Sequence, residues 1–372
     1  MKILHIAVEN FAGIPMRLVQ EERRRGHYSR LITLLSPHQK YEEDIALNLP
    51  FLNTGYMRYA KRFLRGKKNV SKSNVRCTDA TAKIWKPANS IESALFNIRD
   101  IIWQPCINSA LKEIGNIEEY DVIIADGGHD LTRFPKIISK TKTPAAVFYY
   151  GSDLRSRGII AGVQSKSIAT FTFEHDHTLL FPEAEFLFYP YIPPEYSLQV
   201  DYKLPAPDTP IIIGHAPTNR AAKGTDDILA ALETLAHDYP IEILLIENVP
   251  HSEALRQKAS CHLFIDQIGD LGYGLNSVES AWMSIPTCVE ILPDFEEFLK
   301  NKCSRQIPFY NIRRSNLIED MRRTLDERDC WPRRGSESAT WVQKYHSVKN
   351  IADVYLARIE HIVNAPKNTH DI

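Results

Sequence analysis

The chain has 372 residues, enough for two domains of ordinary size; 44% are hydrophobic and 24% charged, as in globular proteins with apolar cores. The 45 lysines and arginines balance 46 aspartates and glutamates, which excludes a global charge that would draw the protein to nucleic acid. The six cysteines form no C-x-x-C pair and no zinc-ligand spacing, which favours buried thiols in a reducing compartment.

The first residues predict a parallel α/β sheet. The run "KILHIAV" (2–8) is typical of a buried strand, 16–28 of a helix that ends at Gly26-His27, and "SRLITLL" (29–35) of the next strand. Strand, glycine-containing loop, helix and strand within about 35 residues form a βαβ unit, whose strands run parallel. Further strands are predicted at 121–127, 144–151, 169–173 and 185–193.

A second α/β series follows a linker. Residues 197–210 contain three prolines and little periodicity, which indicates a connection between two domains. The series then predicts strands at 210–216, 241–250, 261–267 and 285–291, with helices at 224–237, 251–259 and 275–283. One long amphipathic helix is predicted at 336–363. We expect an N-terminal domain of 1–196 plus 345–372 and a C-terminal domain of 211–344.

The loop after the first strand of the second series carries two cations. Arg220 and Lys223 precede a helix whose start would by itself favour anions. One interpretation is a phosphate site, in which backbone N–H groups, the helix dipole and the cations bind an external anion. The alternative is a solvated turn with incidental charge.

A second glycine-rich loop, "DQIGDLGYGLNSVESAW" (266–282), joins a strand to a helix. Gly272 and Gly274 allow the backbone to approach a ligand closely, and the helix start offers N–H groups to a phosphate. Glu279, about one turn into that helix, is suited to accept hydrogen bonds from ribose hydroxyls. Because open α/β sheets bind ligands at the carboxyl ends of their strands, a nucleotide diphosphate is the common ligand that both loops favour.

These residues carry a family resemblance. The segment 215–229 ("HAPTNRAAKGTDDIL") resembles the K-G-T loop of GT-B fold glycosyltransferases of the broad family 4 group. The segment 273–289 ("YGLNSVESAWMSIPTCV") is similar to that family's glutamate-containing helix, and 148–155 ("FYYGSDLR") to one of its strand ends. The segment 342–360 ("VQKYHSVKNIADVYLARIE") resembles the family's closing helix. The resemblance covers most of the chain, is strongest at 211–290 and is weakest at 36–120.

The resemblance implies a fold and roles for particular residues. The fold would be GT-B: two doubly wound, Rossmann-like parallel-sheet domains that face a central cleft. Lys223, Arg220 and Glu279 would be catalytic, the two cations at the diphosphate and the glutamate at the ribose. The implied donor-binding residues are Gly13, His215, Asn219, Glu247, Asn248, Gly272, Tyr273, Gly274, Leu275 and Asn276. The implied acceptor-side residues are His129, Asp153 and Arg155.

The implied activity is a glycosyltransferase that moves a sugar from a nucleotide-diphosphate sugar to a glycan, lipid-linked or small-molecule acceptor. Retention at the anomeric carbon is expected because the family that the chain resembles retains. No metal or other cofactor is expected, because the cations and helix N–H groups would stabilise the leaving phosphate. Leu271 stands where the family commonly has the first of two glutamates. Two alternatives therefore stay open: a non-catalytic nucleotide-sugar-binding protein and a GT-B sugar-nucleotide epimerase.

Three further patterns are less specific. Residues 58–76 contain eight basic residues and no acid, which indicates either a patch for anionic lipids or phosphate-bearing acceptors, or a solvated surface excursion. The apolar run at the N-terminus is too short for a signal peptide or a membrane span, so we expect a cytoplasmic protein. The first interpretation of 58–76 would add peripheral contact with the inner membrane face. "EHDHT" (174–178) could suggest a metal, but strand alternation would put its acids and histidines on opposite faces, so none is expected. "DGGHD" (126–130) places His129 either at a site or in a polar turn.

Overall fold

The parallel sheet predicted from the N-terminal βαβ pattern is present in the computed structural model. The structure describes residues 1–36, 41–50, 81–132, 136–193, 202–206, 209–269, 272–303 and 307–365. It divides the chain into two units, the first formed by Met1–Phe188 with Ile351–Ile372 and the second by Tyr189–Asn350. The predicted basic patch at 58–76 and Leu271 lie outside the described residues, as does half of the predicted linker.

The first unit has a sheet of seven described strands, all parallel, in the order β3-β2-β1-β4-β5-β6-β7. The strands are β1 (Lys2–Ala7), β2 (Tyr28–Thr33), β3 (Ile45–Ala46), β4 (Val122–Asp126), β5 (Ala145–Tyr149), β6 (Ser167–Thr172) and β7 (Glu185–Phe186). The helices are α1 (Ile14–Arg24), α2 (Ser90–Ile114), α3 (Ala161–Gln164) and α4 (His175–Leu180), with short helical turns at Phe11–Gly13, Ile117–Glu119 and Asp153–Arg157.

Apolar runs explain why these strands occupy the centre of the first unit. Every residue of β4 and β5 is buried, as expected for strands covered on both faces by helices. Helix α1 begins after Gly13, whose φ of 73° is left-handed, and a proline follows at its first turn, where a missing N–H costs nothing. The core therefore lies on both sides of the β1-β4-β5 centre.

The second unit has a parallel sheet of five described strands in the order β12-β11-β10-β8-β9. The strands are β8 (Ile211–His215), β9 (Ile241–Leu245), β10 (Leu263–Ile265), β11 (Thr287–Val289) and β12 (Tyr310–Asn311). The helices are α5 (Arg220–Lys223), α6 (Thr225–Leu235), α7 (His251–Lys258), α8 (Leu275–Trp282), α9 (Pro293–Cys303), α10 (Leu317–Asp326) and α11 (Trp331–Tyr345), with short turns at Arg314–Asn316 and Arg328–Cys330.

The single long helix predicted at 336–363 is wrong, because two helices occupy this segment. Helix α11 ends at Tyr345, and α12 (Val348–Val363) follows after His346 and Ser347. His346 leaves the helical path to bond Tyr189: its Nδ1 lies 2.8 Å from the Tyr189 carbonyl oxygen, and its own carbonyl accepts the Tyr191 N–H at 2.8 Å. The amphipathic period continues across this break, so the pattern alone could not locate it.

One other local prediction is also corrected. The strand alternation assumed for 174–178 is wrong, since α4 begins at His175 and puts Glu174 and Asp176 together on one cation, Arg155. Within the predicted linker, Tyr202 packs against the core of the second unit and donates its hydroxyl to the His262 carbonyl at 2.8 Å. Among the described residues, no helix is long and apolar enough to cross a membrane.

Candidate functional site

The order of the strands indicates where a ligand would bind in each unit. Open parallel sheets form a crevice where the strand order reverses, at the carboxyl ends of the two strands that flank the reversal. In the second unit the reversal lies between β8 and β10, and in the first unit between β1 and β4. The loops at these four strand ends hold most of the residues that the sequence singled out.

Lys223 lies at the reversal of the second sheet and pairs with Asp266. The lysine Nζ is 2.6 Å from Asp266 Oδ1, and the side chains are 14% and 0% exposed. Gly224 makes this placement possible: its φ is 68°, and a Cβ there would lie 2.5 Å from Ile268 Cγ1, so the chain can turn sharply after Lys223. The loop cation thus reaches across from the end of β8 to the end of β10.

Asp266 connects this lysine to the start of α8. Its second oxygen accepts the Gly274 N–H at 2.8 Å and the Ser277 hydroxyl at 2.7 Å. Burial opposes ionisation of the carboxyl, but Lys223 and these donors outweigh it and hold the pKa of Asp266 below its usual range. The carboxylate therefore stays ionised and fixes the lysine beside the glycine-rich loop.

Arg220 also has a carboxylate partner. Its guanidinium binds Glu247 with two parallel hydrogen bonds, Nε to Oε1 at 2.8 Å and Nη2 to Oε2 at 2.6 Å. The arginine side chain is 48% exposed and the glutamate 21%. Such a bidentate pair at the surface is well oriented but contributes little to stability, so an incoming phosphate could compete for the guanidinium.

Glu279 is the centre of a third cation–carboxylate cluster. Its oxygens lie 2.6 Å from Lys258 Nζ and 2.7 Å from His251 Nε2, and both Glu279 and Lys258 are buried. Lys258 also donates to Asn276 Oδ1 at 2.9 Å. Burial opposes ionisation, but Lys258 and His251 hold the pKa of Glu279 well below its usual range. A permanently ionised carboxylate of this kind can accept further hydrogen bonds from hydroxyl groups.

Several other predicted donor residues have roles inside the second unit. His215 is fully buried, and its nitrogens lie 2.9 Å from the Ile265 carbonyl oxygen and 2.9 Å from Thr225 Oγ1. Asn219 caps α5 by accepting the Ala222 N–H at 3.2 Å. Tyr273 is buried, and its ring stacks on Phe295.

Three donor-loop positions are defined mainly by their backbone. Asn248, after β9, and Gly272 have left-handed φ angles of 56° and 73°. A Cβ at Gly272 would lie 2.5 Å from the Phe295 ring, so only glycine fits. Leu275 is the first residue of α8, directly after Gly274.

A pocket of about 280 Å³ lies at the sheet reversal of the first unit. Of the residues predicted on the acceptor side, His129 and Asp153 line it. Gly13 and Arg155 are not among its lining residues. The others in the lining are Ala7, Val8, Glu9, Phe11, Asp126, Gly127, Tyr150, Gly151, Ser152 and Arg157.

Asp153 and Arg155 both stabilise the turn after β5. Asp153 accepts the backbone N–H groups of Tyr150, Gly151 and Leu154, each at 2.8 Å. Arg155 is almost fully buried and binds Asp176 at 2.5 and 2.6 Å. The charged groups of both residues therefore stabilise the turn that forms one wall of the pocket.

A buried chain of polar groups, which the sequence did not indicate, extends inward from this pocket. Tyr150 donates its hydroxyl to Asp126, Asp126 Oδ2 lies 2.9 Å from His5 Nδ1, and His5 Nε2 lies 3.2 Å from both oxygens of Glu22. Glu22 also accepts the Tyr355 hydroxyl of α12 at 2.6 Å. Burial disfavours the imidazolium, but Glu22 and Asp126 outweigh it and raise the pKa of His5 to about 10.

Sequence reasoning missed the partners of the residues it selected. Asp266, Lys258 and His251 complete the second-unit clusters, and His5 and Asp126 complete that of the first. Asp266 had a usable signal, since it ends a buried strand directly before a glycine-rich loop. Lys258 had none, because a lysine in a short amphipathic helix is normally solvent-exposed. No group of three or more His, Cys, Asp or Glu residues among those described could hold a metal ion.

No protein-family model and no curated protein sequence matches this chain, and the proteins similar to it are solved structures. An alpha-glucosyltransferase in complex with UDP and DNA superposes with a TM-score of 0.60 at 9% identity, over 96% of this chain and 99% of that one. Sucrose-phosphate synthase from Thermosynechococcus elongatus gives 0.59 at 11% identity, over 98% and 100%. The chain has the GT-B fold.

A third similar structure is that of an epimerase rather than a transferase. UDP-GlcNAc 2-epimerase from Neisseria meningitidis, bound to UDP-GlcNAc, gives a TM-score of 0.51 at 11% identity, over 96% of this chain and 99% of that one. The predicted fold class is therefore confirmed, including two parallel-sheet α/β units. At such low identity the likeness establishes the fold alone, because one fold supports many activities.

Proposed function

We propose that the second unit of this GT-B chain binds a nucleotide-diphosphate sugar, and that the protein transfers the sugar to an acceptor. One observation carries the proposal: the Lys223 ammonium lies beside the backbone of Gly274 at the start of α8. A Cβ on Gly274 would be 3.6 Å from Lys223 Nζ. A phosphate that approached this glycine would meet the N-terminal end of a helix and a fixed lysine together.

In the proposed reaction, Lys223 and Arg220 stabilise the charge that grows on the departing nucleotide phosphate. Arg220 is exposed and can turn from Glu247 towards the ligand, whereas Lys223 is held in place by Asp266. Glu279 accepts hydrogen bonds from the ribose with the oxygen lone pairs that Lys258 and His251 leave open. These groups would replace the charge that a metal ion supplies in other transferases, and we propose retention at the anomeric carbon.

We propose the first-unit pocket as the place where the acceptor binds. His129 and Asp153 line it, as do the aromatic rings of Phe11 and Tyr150, whose centroids are 6.0 Å apart. Aromatic faces and hydrogen-bonding groups together suit the polar and apolar faces of a sugar or a similar acceptor. In this proposal Arg155 positions the pocket wall through Asp176 and makes no direct contact with the acceptor.

A second candidate is a protein that binds the nucleotide sugar without transferring it. The three cations of the candidate nucleotide site, Arg220, Lys223 and Lys258, already have carboxylate partners, so their net attraction for a diphosphate is smaller than their number suggests. The absence of the family's first glutamate at Leu271 points the same way. The epimerase remains a third outcome of the same experiment.

The test is a panel of UDP-, GDP- and ADP-sugars, with binding measured by calorimetry and products by NMR, in the presence of EDTA. Nucleotide release with an acceptor supports transfer, and the anomeric configuration of the product tests retention. Binding without turnover would identify a binding protein, and a changed sugar would identify an epimerase. Arg256→Ala is the matched control, because Arg256 is an exposed cation of the same unit that pairs with Glu253 on its own helix.

A further inference from the structure

Helix α2 has two apolar faces, although only one of them is covered. The covered face contains Phe96, Trp103, Ile107, Ala110 and Ile114, which are buried in the first unit. The second face, here called the outer face, consists of Ile91, Leu95, Ile98, Ile101 and Ile102, with exposed fractions of 63%, 45%, 55%, 70% and 48%. A surface helix normally carries one apolar stripe and a charged opposite face, so this second stripe needs an explanation.

The spacing of the outer face shows that it is a continuous row. Ile91, Leu95, Ile98 and Ile102 follow steps of four, three and four residues, which places them within about 60° of each other at 100° per residue. Five of the twelve large hydrophobic residues that are exposed in the described part of the chain belong to this one helix. Single exposed apolar side chains are ordinary, but a row of this length marks a surface that contacts an apolar partner.

The charges around the row identify the kind of partner. Within the described stretch 81–114, which ends with the helix, the exposed charged residues are Lys83, Lys86, Lys112 and Glu113, and this one exposed acid pairs with Arg30 at 3.2 Å. Glu92 and Asp100 are both buried: Glu92 caps the start of the helix, and Asp100 pairs with Arg99. Upstream in the sequence, the segment 58–76, which lies outside the described residues, contains eight basic residues and no acid.

From these observations we propose that the outer face of α2 docks on an anionic lipid bilayer. The isoleucines and Leu95 enter the boundary between headgroups and acyl chains, with the helix axis parallel to the surface. The lysines Lys83, Lys86 and Lys112 lie near anionic headgroups, each contributing about 1 kcal/mol of attraction within a Debye length. This surface is separate from the pocket of the first unit and from the nucleotide site, so the proposal does not depend on the proposed activity.

The experiment is co-sedimentation of the full chain with vesicles of phosphatidylcholine containing phosphatidylglycerol, compared with vesicles of phosphatidylcholine alone. Wild-type protein is expected to bind the anionic vesicles, and less strongly as salt is raised. Ile98→Asp should lower the partition constant for the vesicles by roughly tenfold or more. The substitution replaces an apolar side chain that would enter the bilayer by a charged one. The matched control is Asn97→Asp, which adds the same charge at an exposed position about 100° around the helix.

The outcomes separate lipid from protein partners. Loss of binding in Ile98→Asp with binding retained in Asn97→Asp supports the proposal. Failure of the wild type to bind anionic vesicles, or equal binding by Ile98→Asp, overturns it. Sedimentation equilibrium on the same proteins gives the remaining result: a wild-type dimer that Ile98→Asp converts to monomer, without vesicle binding, would assign the outer face to a second copy of the chain. Circular dichroism confirms that each variant is folded.

Discussion

At the scale of single residues, the two cations of the donor loop, Arg220 and Lys223, are each paired with a carboxylate from a neighbouring strand end. The charge pattern of the loop was enough to select Arg220 and Lys223, because two cations at a helix start are locally unfavourable. It could not reveal their partners, since Glu247 and Asp266 are 27 and 43 residues further along the chain. Only the strand order β9-β8-β10 brings those three loops to one edge.

The first prediction compares the two cations. Lys223→Ala should lower both nucleotide affinity, by about 10- to 100-fold, and the free energy of unfolding, by about 3 kcal/mol, because it leaves the buried Asp266 without its counter-charge. Arg220→Ala should lower affinity while the unfolding midpoint stays constant, since its pair with Glu247 is exposed. Isothermal titration calorimetry with UDP and urea denaturation measure the two quantities.

A second variant at the same pair serves as the control for Lys223. Asp266→Asn combined with Lys223→Met removes both charges, and should recover part of the lost stability without recovering nucleotide binding. If Lys223→Ala leaves affinity for every tested nucleotide intact, the lysine has only the structural role of holding Asp266.

The second prediction concerns Gly274, where a methyl group can be added without strain. The backbone there is extended, with φ of −121° and ψ of −170°, and a new Cβ would lie 3.4 Å from Asp266 Oδ2, an ordinary contact. Gly274→Ala should therefore fold with nearly unchanged stability. The methyl would nevertheless occupy the approach of a phosphate to the helix start, so UDP affinity should fall by roughly tenfold. Unchanged affinity, measured by calorimetry, would place the phosphate elsewhere.

At the scale of elements, the polar chain from Tyr150 to Glu22 joins β4 and β5 to β1 and α1. A histidine inside an apolar strand such as "KILHIA" indicates a partner but does not say which. The partner Asp126 is 121 residues away, at the end of β4, and the pairing follows from the parallel register in which Ile6 faces Ala125. The sequence predicted both strands correctly, whereas their adjacency came from the fold.

The third prediction is a loss of stability at alkaline pH that depends on His5. The pKa of His5 is raised in the folded state to about 10, from an ordinary value of 6.5. Its contribution is therefore complete below pH 6.5 and declines as pH rises towards 10, because the unfolded chain releases the proton first. The slope of unfolding free energy between pH 7 and 10, from urea titrations, should be clearly smaller in His5→Gln than in the wild type.

The control for this prediction is His27→Gln, which removes a partly exposed histidine near the end of the same βαβ unit. Comparison of its slope with that of His5→Gln separates the effect of His5 from the effect of removing a histidine in general. Equal slopes in His5→Gln and wild type would mean that His5 is neutral in the folded protein. The network would then be held together by hydrogen bonds rather than by charge.

At the scale of the whole molecule, the sequence predicted two parallel α/β units because each contains its own strand–helix alternation. Periodicity could not predict how the chain closes, since the break at His346 depends on the carbonyl of Tyr189, far away in sequence. The boundaries between the two units lie after Phe188 and after Asn350, so residues 351–363 of α12 belong to the first unit. The first unit is therefore discontinuous in sequence.

The last prediction follows from that discontinuity. Four side chains of α12 are buried in the first unit: Ile351, Tyr355, Leu356 and Ile359. The Tyr355 ring packs edge-on against Phe148, with the two ring centroids 5.3 Å apart. Four side chains of this size contribute about 6–12 kcal/mol by burial, which is comparable to the whole stability of a domain. A chain ending at Asn350 should therefore lose the first unit's unfolding transition in calorimetry and retain that of the second.

Tyr355→Phe in the full chain provides the comparison for the truncation. This variant keeps the aromatic packing and removes only the hydroxyl that donates to Glu22 at 2.6 Å. Its free energy of unfolding should therefore fall by about 1.5–3 kcal/mol, as expected for the loss of a hydrogen bond to a charged group. Hydrogen exchange of the β1 amides separates the two effects, because the truncated chain should leave them unprotected and Tyr355→Phe should not. Protected β1 amides in the truncated chain would mean that the first unit folds without its C-terminal helix.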